Sequence, residues 1–154
     1  MEYTFIIIKP DAVHRALAGE IVKRFEQKGL KIIGMKMQQL SDSLLDEHYA
    51  HHKGKPFFAK LKEYMRSIPV ILVVLEGRNA VDVVREMCGV TDGSKAAAGT
   101  IRGDFSVSVQ YNLVHASDSK ETAEKEIKRF FKKEELFSYT RIDLEMLYAG
   151  DERK

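Results

Sequence analysis

The chain has one cysteine, Cys88, so an intrachain disulfide framework is excluded. No apolar run approaches the ~20 residues needed to span a bilayer, so no membrane partner is expected. The N-terminus opens on a strand pattern instead of a basic segment followed by an apolar core, and no signal peptide is expected either. Net charge is also scarce. The 25 Lys and Arg against 23 Asp and Glu leave +2, too little to point to a polyanion. These charges are interspersed, which reads as solvated faces. Internal repeats, low-complexity stretches and linkers are absent. What remains is a cytoplasmic globule whose 154 residues suffice for one domain, 1–154, burying roughly 70% of its unfolded surface. A hydrophobic share of 44% and a charged share of 31% fit that class. Cys88 falls on an apolar helix face, where a buried, inert thiol is expected.

Glycine-rich phosphate loops are missing too. Neither G-x-x-x-x-G-K-[ST] nor G-x-G-x-x-G occurs. The nearest piece, Gly89-Val90-Thr91-Asp92-Gly93-Ser94-Lys95, is one residue short and puts Ser before Lys.

Periodicity supplies the elements. Thr4 to Lys9 reads as a buried strand ended by Pro10, and Asp11 starts a helix with Leu17, Ile21, Val22 and Phe25 on one face and Gly29 as its stop. Ile33, Met35 and Met37 alternate with Lys36 and Gln38, a strand with one wet side. Ser41 to His52 carries Leu44, Leu45 and Tyr49 at helical spacing. His48, His51 and His52 on it lack an H-E-x-x-H pattern or a cysteine pair, and read as exposed helix surface, not metal ligands. Pro56 opens a second helix, Phe57 to Met65, so a helical pair is inserted between strands.

Val70 to Leu75 is the most apolar run and the candidate central strand, buried on both faces. Asn79 caps a helix bearing Val83, Val84, Met87 and Cys88, closed by Gly89, with Arg85 on its polar flank. From Gly89 to about Val107 no period holds, and a loop of that length is functional or covered by a neighbour. Val109, Tyr111 and Leu113 alternate with Ser108, Gln110 and Asn112, a half-buried strand pattern. A helix from Ser119 to Lys133 follows, with Ala123, Ile127, Phe130 and Phe131 on one face and a capping-box-like pair, Asp118 and Glu121. The order implies an α/β (α+β sandwich) fold. Specifically, it is ferredoxin-like βαββαβ with an antiparallel four-stranded sheet, an inserted helical pair and a long loop before the last strand.

His115 stands between the last strand pattern and that capped helix. The helix N-terminus favours an arriving phosphate. If the helix folds back, Glu126, about two turns in, reaches the imidazole. Spacing alone favours the plainer reading, a structural histidine ahead of a capped helix.

The wording of the motif changes that balance. Asn112-Leu113-Val114-His115-Ala116-Ser117-Asp118-Ser119 resembles the active-site signature of nucleoside diphosphate kinases. Tyr3 to Asp11, ending in Lys-Pro-Asp, resembles the family's opening strand and turn, and Gly99-Thr100-Ile101-Arg102-Gly103-Asp104-Phe105 its second fingerprint. Ala98, where many members have proline, and Val90 depart from the pattern. The resemblance implies phosphoryl transfer from a nucleoside triphosphate to a nucleoside diphosphate through a phosphohistidine on His115. Glu126 and Ser117 would orient the ring. It further implies Arg85, Thr91 and Arg102 at the phosphates, Tyr49 at the mouth, Lys9 and Asn112 at the ribose, and Phe57 with Val109 around the base. Mg²⁺ would arrive with the nucleotide, no protein metal ligand is implied, and a homo-oligomer is expected, hexamer before tetramer. Two rivals remain. An RNA-recognition module would need aromatics on the central strands, which are aliphatic here, so no nucleic-acid partner is expected. A phosphohistidine carrier between proteins would need His115 but no base platform.

Overall fold

The computed structural model describes residues 1–153. Its frame is one antiparallel sheet, in the order β2-β3-β1-β4, built from β1 (Glu2–Ile8), β2 (Lys31–Gln38), β3 (Val70–Gly77) and β4 (Val114–Ala116). β1 and β2 run parallel with β3 between them, and β3 and β4 run parallel with β1 between them. This is the ferredoxin-like arrangement.

Helices cover both faces, so β1 and β3 are apolar on both sides. Ile6, Ile8, Val73 and Leu75 point to one core, against α1 (Pro10–His14), α2 (Ala18–Gln27), α5 (Ala80–Cys88) and α6 (Ile101–Phe105). Phe5, Ile7, Leu72 and Val74 point to the other, under α3 (Asp42–His48), α4 (Phe58–Met65) and α7 (Lys120–Phe130). A last short helix, α8 (Leu144–Leu147), lies in the C-terminal segment. α3 and α4 are the inserted helical pair.

Several local expectations are corrected. The first helix is not continuous: it breaks at Ala16, a non-glycine residue at φ 55°, and restarts as α2, which Gly29 ends at φ 96°. In β2, a bulge between Ile32 and Gly34 turns the alternation over. Ile33 is buried while Met35 and Met37 are about half exposed, so the methionines lie on the wet side.

The half-buried strand expected over 108–113 does not form. Val109 and Tyr111 are exposed loop residues, and pairing with β1 begins only at Val114. The long loop is partly helical, with a 3₁₀ turn at Gly93–Lys95 and α6 inside it, and it packs on its own chain through buried Gly93 and Ile101. At the start of α7 the cap is Ser119, whose hydroxyl accepts from the Thr122 N–H, not the Asp118–Glu121 pair. Phe131 follows the helix as its C-cap, and Asn79 precedes α5 in a left-handed conformation without a side-chain cap bond.

Candidate active site

β4 joins the sheet so that His115 stands opposite Ile7 of β1. Directly opposed residues share a face, and the face of Ile7 is the one beneath α3, α4 and α7. Pairing therefore delivers the imidazole to α7. There Nε2 of His115 lies 2.7 Å from Oε1 of Glu126, and the Ser117 hydroxyl donates to Oε2 at 2.5 Å. Ser117 is itself tied to β1, its oxygen accepting from the Phe5 N–H at 3.3 Å. Glu126 is 4% exposed, and both its oxygens are engaged. A carboxylate only accepts, so the ring's proton sits on Nε2 and its lone pair on Nδ1.

The residue before β4's first position is held in a tight turn. Leu113 has φ 73°, and the Val114 N–H donates back to the Asn112 carbonyl at 2.8 Å. Backbone of this kind costs about 1–3 kcal/mol and persists only where its surroundings over-determine it. Asp11 provides that surrounding. Its Oδ2 accepts the Leu113 N–H at 3.0 Å, while its Oδ1 accepts the Tyr64 hydroxyl. The Lys-Pro-Asp turn after β1 thus fixes the entry to β4.

His115 and Glu126 line a cleft of about 850 Å³, within the usual range for small-molecule sites. The structure gathers Lys9, Tyr49, Phe57, Arg85, Thr91, Arg102, Val109 and Asn112 on the same walls. Ser117 is the one candidate that lies beneath the cleft, acting on it through Glu126.

A polar network ties the loop to the strand ends. Lys9 Nζ donates to Asn112 Oδ1 at 2.7 Å, and Asn112 Nδ2 donates to the carbonyls of Thr91 and Val109 at 3.0 and 2.9 Å. Burial, with Arg102 close by, pulls the Lys9 ammonium down to about 8 against the opposing pull of Asp11. Arg102 binds three carbonyls, those of Gly89 and Val114 at 2.7 Å each and of Asn112 at 3.2 Å. Those bonds use three of its five N–H groups and leave two. Arg85 is exposed on the α5 wall. Tyr49 is buried, and burial, followed by the charge of Glu126, raises its hydroxyl's pKa. Phe57 and Val109 are 47% and 58% exposed at the rim, free to meet a flat apolar ligand. Cys88 is buried, and burial pushes its thiol up to about 12.

His48 is the residue that sequence reasoning misplaced. It is 5% exposed, with its ring 4.8 Å from that of His115 and nearly perpendicular to it. The signal was present: His48 follows Leu45 by three residues and Leu44 by four, on the buried stripe of α3. Burial first, then the neighbouring His115, brings its pKa down to about 2, so the ring is neutral. Its Nδ1 is 3.7 Å from Glu126 Oε1, too far for a hydrogen bond, and neither ring nitrogen has a partner. His51 and His52 also line the cleft but are less buried than His48, their rings 4.0 Å apart.

Known proteins match this architecture closely. The nucleoside diphosphate kinase family model matches residues 2–136. A nucleoside diphosphate kinase of Parabacteroides distasonis is 58% identical over 152 residues, 99% of each chain. One from Pyrococcus furiosus is 56% identical over 90% of this chain and 88% of its own. Among solved structures, the halophilic nucleoside diphosphate kinase of Halobacterium salinarum in complex with CDP superposes with a TM-score of 0.93 at 44% identity, covering 96% of this chain and 98% of that one.

Proposed function

The chain belongs to the nucleoside diphosphate kinase family, and from that premise we propose that His115 is the phosphoryl carrier of its reaction. The protein is an enzyme that transfers phosphoryl groups between nucleotides. The observation that carries the histidine reading is the pairing of Nε2 with a buried carboxylate, which leaves the Nδ1 lone pair for the reaction. Nδ1 attacks the γ-phosphorus of a nucleoside triphosphate. The N–P bond forms as the bond to the β-phosphate oxygen breaks, and the nucleoside diphosphate leaves. A second diphosphate then attacks the phosphohistidine and regenerates the ring. As the N–P bond forms, the ring gains positive charge, and Glu126, oriented by Ser117, stabilises it.

The remaining residues bind. Arg85, Thr91 and the two unused N–H groups of Arg102 hold phosphate oxygens, with Tyr49 lining the mouth. Fixed donors suit a transition state whose charge spreads over phosphoryl oxygens. Lys9 and Asn112, already bonded to each other, take the ribose hydroxyls, and Phe57 and Val109 flank the base. Mg²⁺ fits this site only as a companion of the nucleotide. Both oxygens of Glu126 are engaged, and Asp118 is the other carboxylate on the cleft wall. Most of its ligands would then come from the nucleotide's phosphates and water. When bound, Mg²⁺ neutralises phosphate charge.

Residues 1–154 act as one domain in a homo-oligomer, hexamer favoured over tetramer. That state is supported by β2, a sheet-edge strand that itself carries the exposed Met35 and Met37. Among the described residues no helix is long and apolar enough to cross a membrane. A cytoplasmic location goes with this reading. One site serving both half-reactions requires ping-pong kinetics. Double-reciprocal plots at several fixed donor concentrations should be parallel, and intersecting lines would reject the reading.

A further inference from the structure

Three buried side-chain polar atoms lack a hydrogen-bond partner among the described residues, and two of them are the ring nitrogens of His48. Leaving a buried polar group unpaired is costly. An unpaired imidazole against a second imidazole and a carboxylate is a ligand set awaiting an ion. One nitrogen of His48, one of His115 and a carboxylate oxygen of Glu126 all lie within 4.8 Å of one another. Two of those separations are 2.7 Å, from His115 Nε2 to Oε1, and 3.7 Å, from His48 Nδ1 to Oε1. Ligands about 2.0–2.2 Å from a tetrahedral Zn²⁺ are roughly 3.3 Å apart, so side-chain shifts of about an ångström suffice.

We propose that His48, His115 and Glu126 form a binding site for a divalent transition metal of the Zn²⁺ class, distinct from the Mg²⁺ that accompanies the nucleotide. Chemistry separates the two ions. Mg²⁺ takes oxygen ligands and keeps its waters, whereas two imidazoles with one carboxylate suit Zn²⁺ and leave a fourth position open to the cleft. On binding, the metal replaces the proton on His115 Nε2, which passes to solvent, and takes the Glu126 oxygen that held it. Metal binding itself does not depend on His115 being the phosphoryl acceptor. Its consequence does, and rests on the function proposed above. A ring drawn onto a cation is a poorer nucleophile, so the metal-loaded enzyme turns over slowly.

Binding is measured on the native protein with Zn²⁺ and no nucleotide, and turnover is assayed separately with and without one Zn²⁺ per chain. Of the five histidines, a proton–nitrogen correlation spectrum of the rings should show His48 and His115 shifting at one Zn²⁺ per chain, with His14, His51 and His52 unmoved. Calorimetry in two buffers should show proton release. The double variant His51→Ala/His52→Ala should bind Zn²⁺ as the parent does, a tenfold excess of Mg²⁺ should not displace it, and His48→Gln should weaken binding by roughly tenfold or more. No shift at His48, binding lost with His51 and His52, or full affinity in His48→Gln would each overturn the site. If Zn²⁺ binds His48 and turnover is unchanged, the fault lies with the proposed role of His115 and not with the metal site.

Discussion

Glu126 holds His115 by one oxygen at 2.7 Å and is itself held by the Ser117 hydroxyl through the other. The ring is therefore oriented before any nucleotide arrives, and the carboxylate lies where positive charge would develop in the proposed transfer.

Glu126→Gln keeps the shape but removes that charge. Because the partner becomes charged only as the N–P bond forms, kcat should fall by roughly a hundredfold with nucleotide affinity little changed. Single-turnover phosphorylation beside equilibrium binding separates the two. Weakened binding with unchanged kcat would make Glu126 a ground-state contact instead.

Lys9 titrates near 8 in the free protein, held down by burial and Arg102 and raised only by Asp11. A nucleotide's negative charge favours the ammonium, so its pKa is higher in the complex. Below pH 8 Lys9 is charged in both states. Above it, binding must take up a proton, and nucleotide affinity should fall as pH rises. Calorimetric Kd measured between pH 7 and 9.5 tests this, and Lys9→Arg, which stays charged, should flatten the profile. Affinity that rises with pH would contradict it.

A Cβ on Gly103 would stand 2.0 Å from the Ala97 carbonyl oxygen and 2.8 Å from the Thr100 hydroxyl, the N-cap group of α6. The obstacle is backbone, which cannot rotate away. Gly103→Ala should cost about 1–3 kcal/mol or more in urea unfolding. It should also weaken nucleotide binding, because neighbouring Arg102 ties the loop to Gly89, Asn112 and Val114. Parent-like stability and affinity would show that the loop yields.

Much of this was legible in the sequence, for identifiable reasons. Val70 to Leu75 and the run Phe5 to Ile8 are apolar at every position because both faces of β1 and β3 are covered, and such runs announce themselves. Helix pitch brings Glu126 within reach of His115 once the helix folds back on the strand, and the family resemblance brings together residues far apart in the chain, such as Lys9 and Asn112. The departures from pattern have three separate causes. Val109, Tyr111 and Leu113 alternate like a strand, yet Asn112 between them bonds two loop carbonyls, and Leu113 turns to positive φ, so pairing waits for Val114. One bulged residue, Ile33, reversed the faces of Met35 and Met37. The polarity of His48 suggests an outward ring, whereas its spacing from Leu44 and Leu45 puts it on the buried stripe of α3.

Substrate breadth follows from which contacts are polar. In the proposed site Phe57 and Val109 would offer the base area but no side-chain hydrogen bond, and apolar contacts discriminate by roughly 10–200-fold at most. All common purine and pyrimidine diphosphates should therefore be accepted, with kcat/KM spread over about one to two orders of magnitude and purines ahead. Deoxynucleotides lose one hydroxyl contact, about 1 kcal/mol or slightly more. Steady-state kinetics with one fixed donor measures this, and thousandfold selection of a single base would reveal a polar base contact in the bound state.

The central claim is that His115 carries the phosphoryl group. Incubating the protein with γ-labelled ATP alone should transfer label to His115, as an acid-labile, base-stable adduct, and chasing with a different nucleoside diphosphate should move that label quantitatively into the new triphosphate. His115→Ala should take up none. Label that persists on His115→Ala, or a labelled protein that cannot pass its phosphoryl group to a free nucleoside diphosphate, would contradict the account.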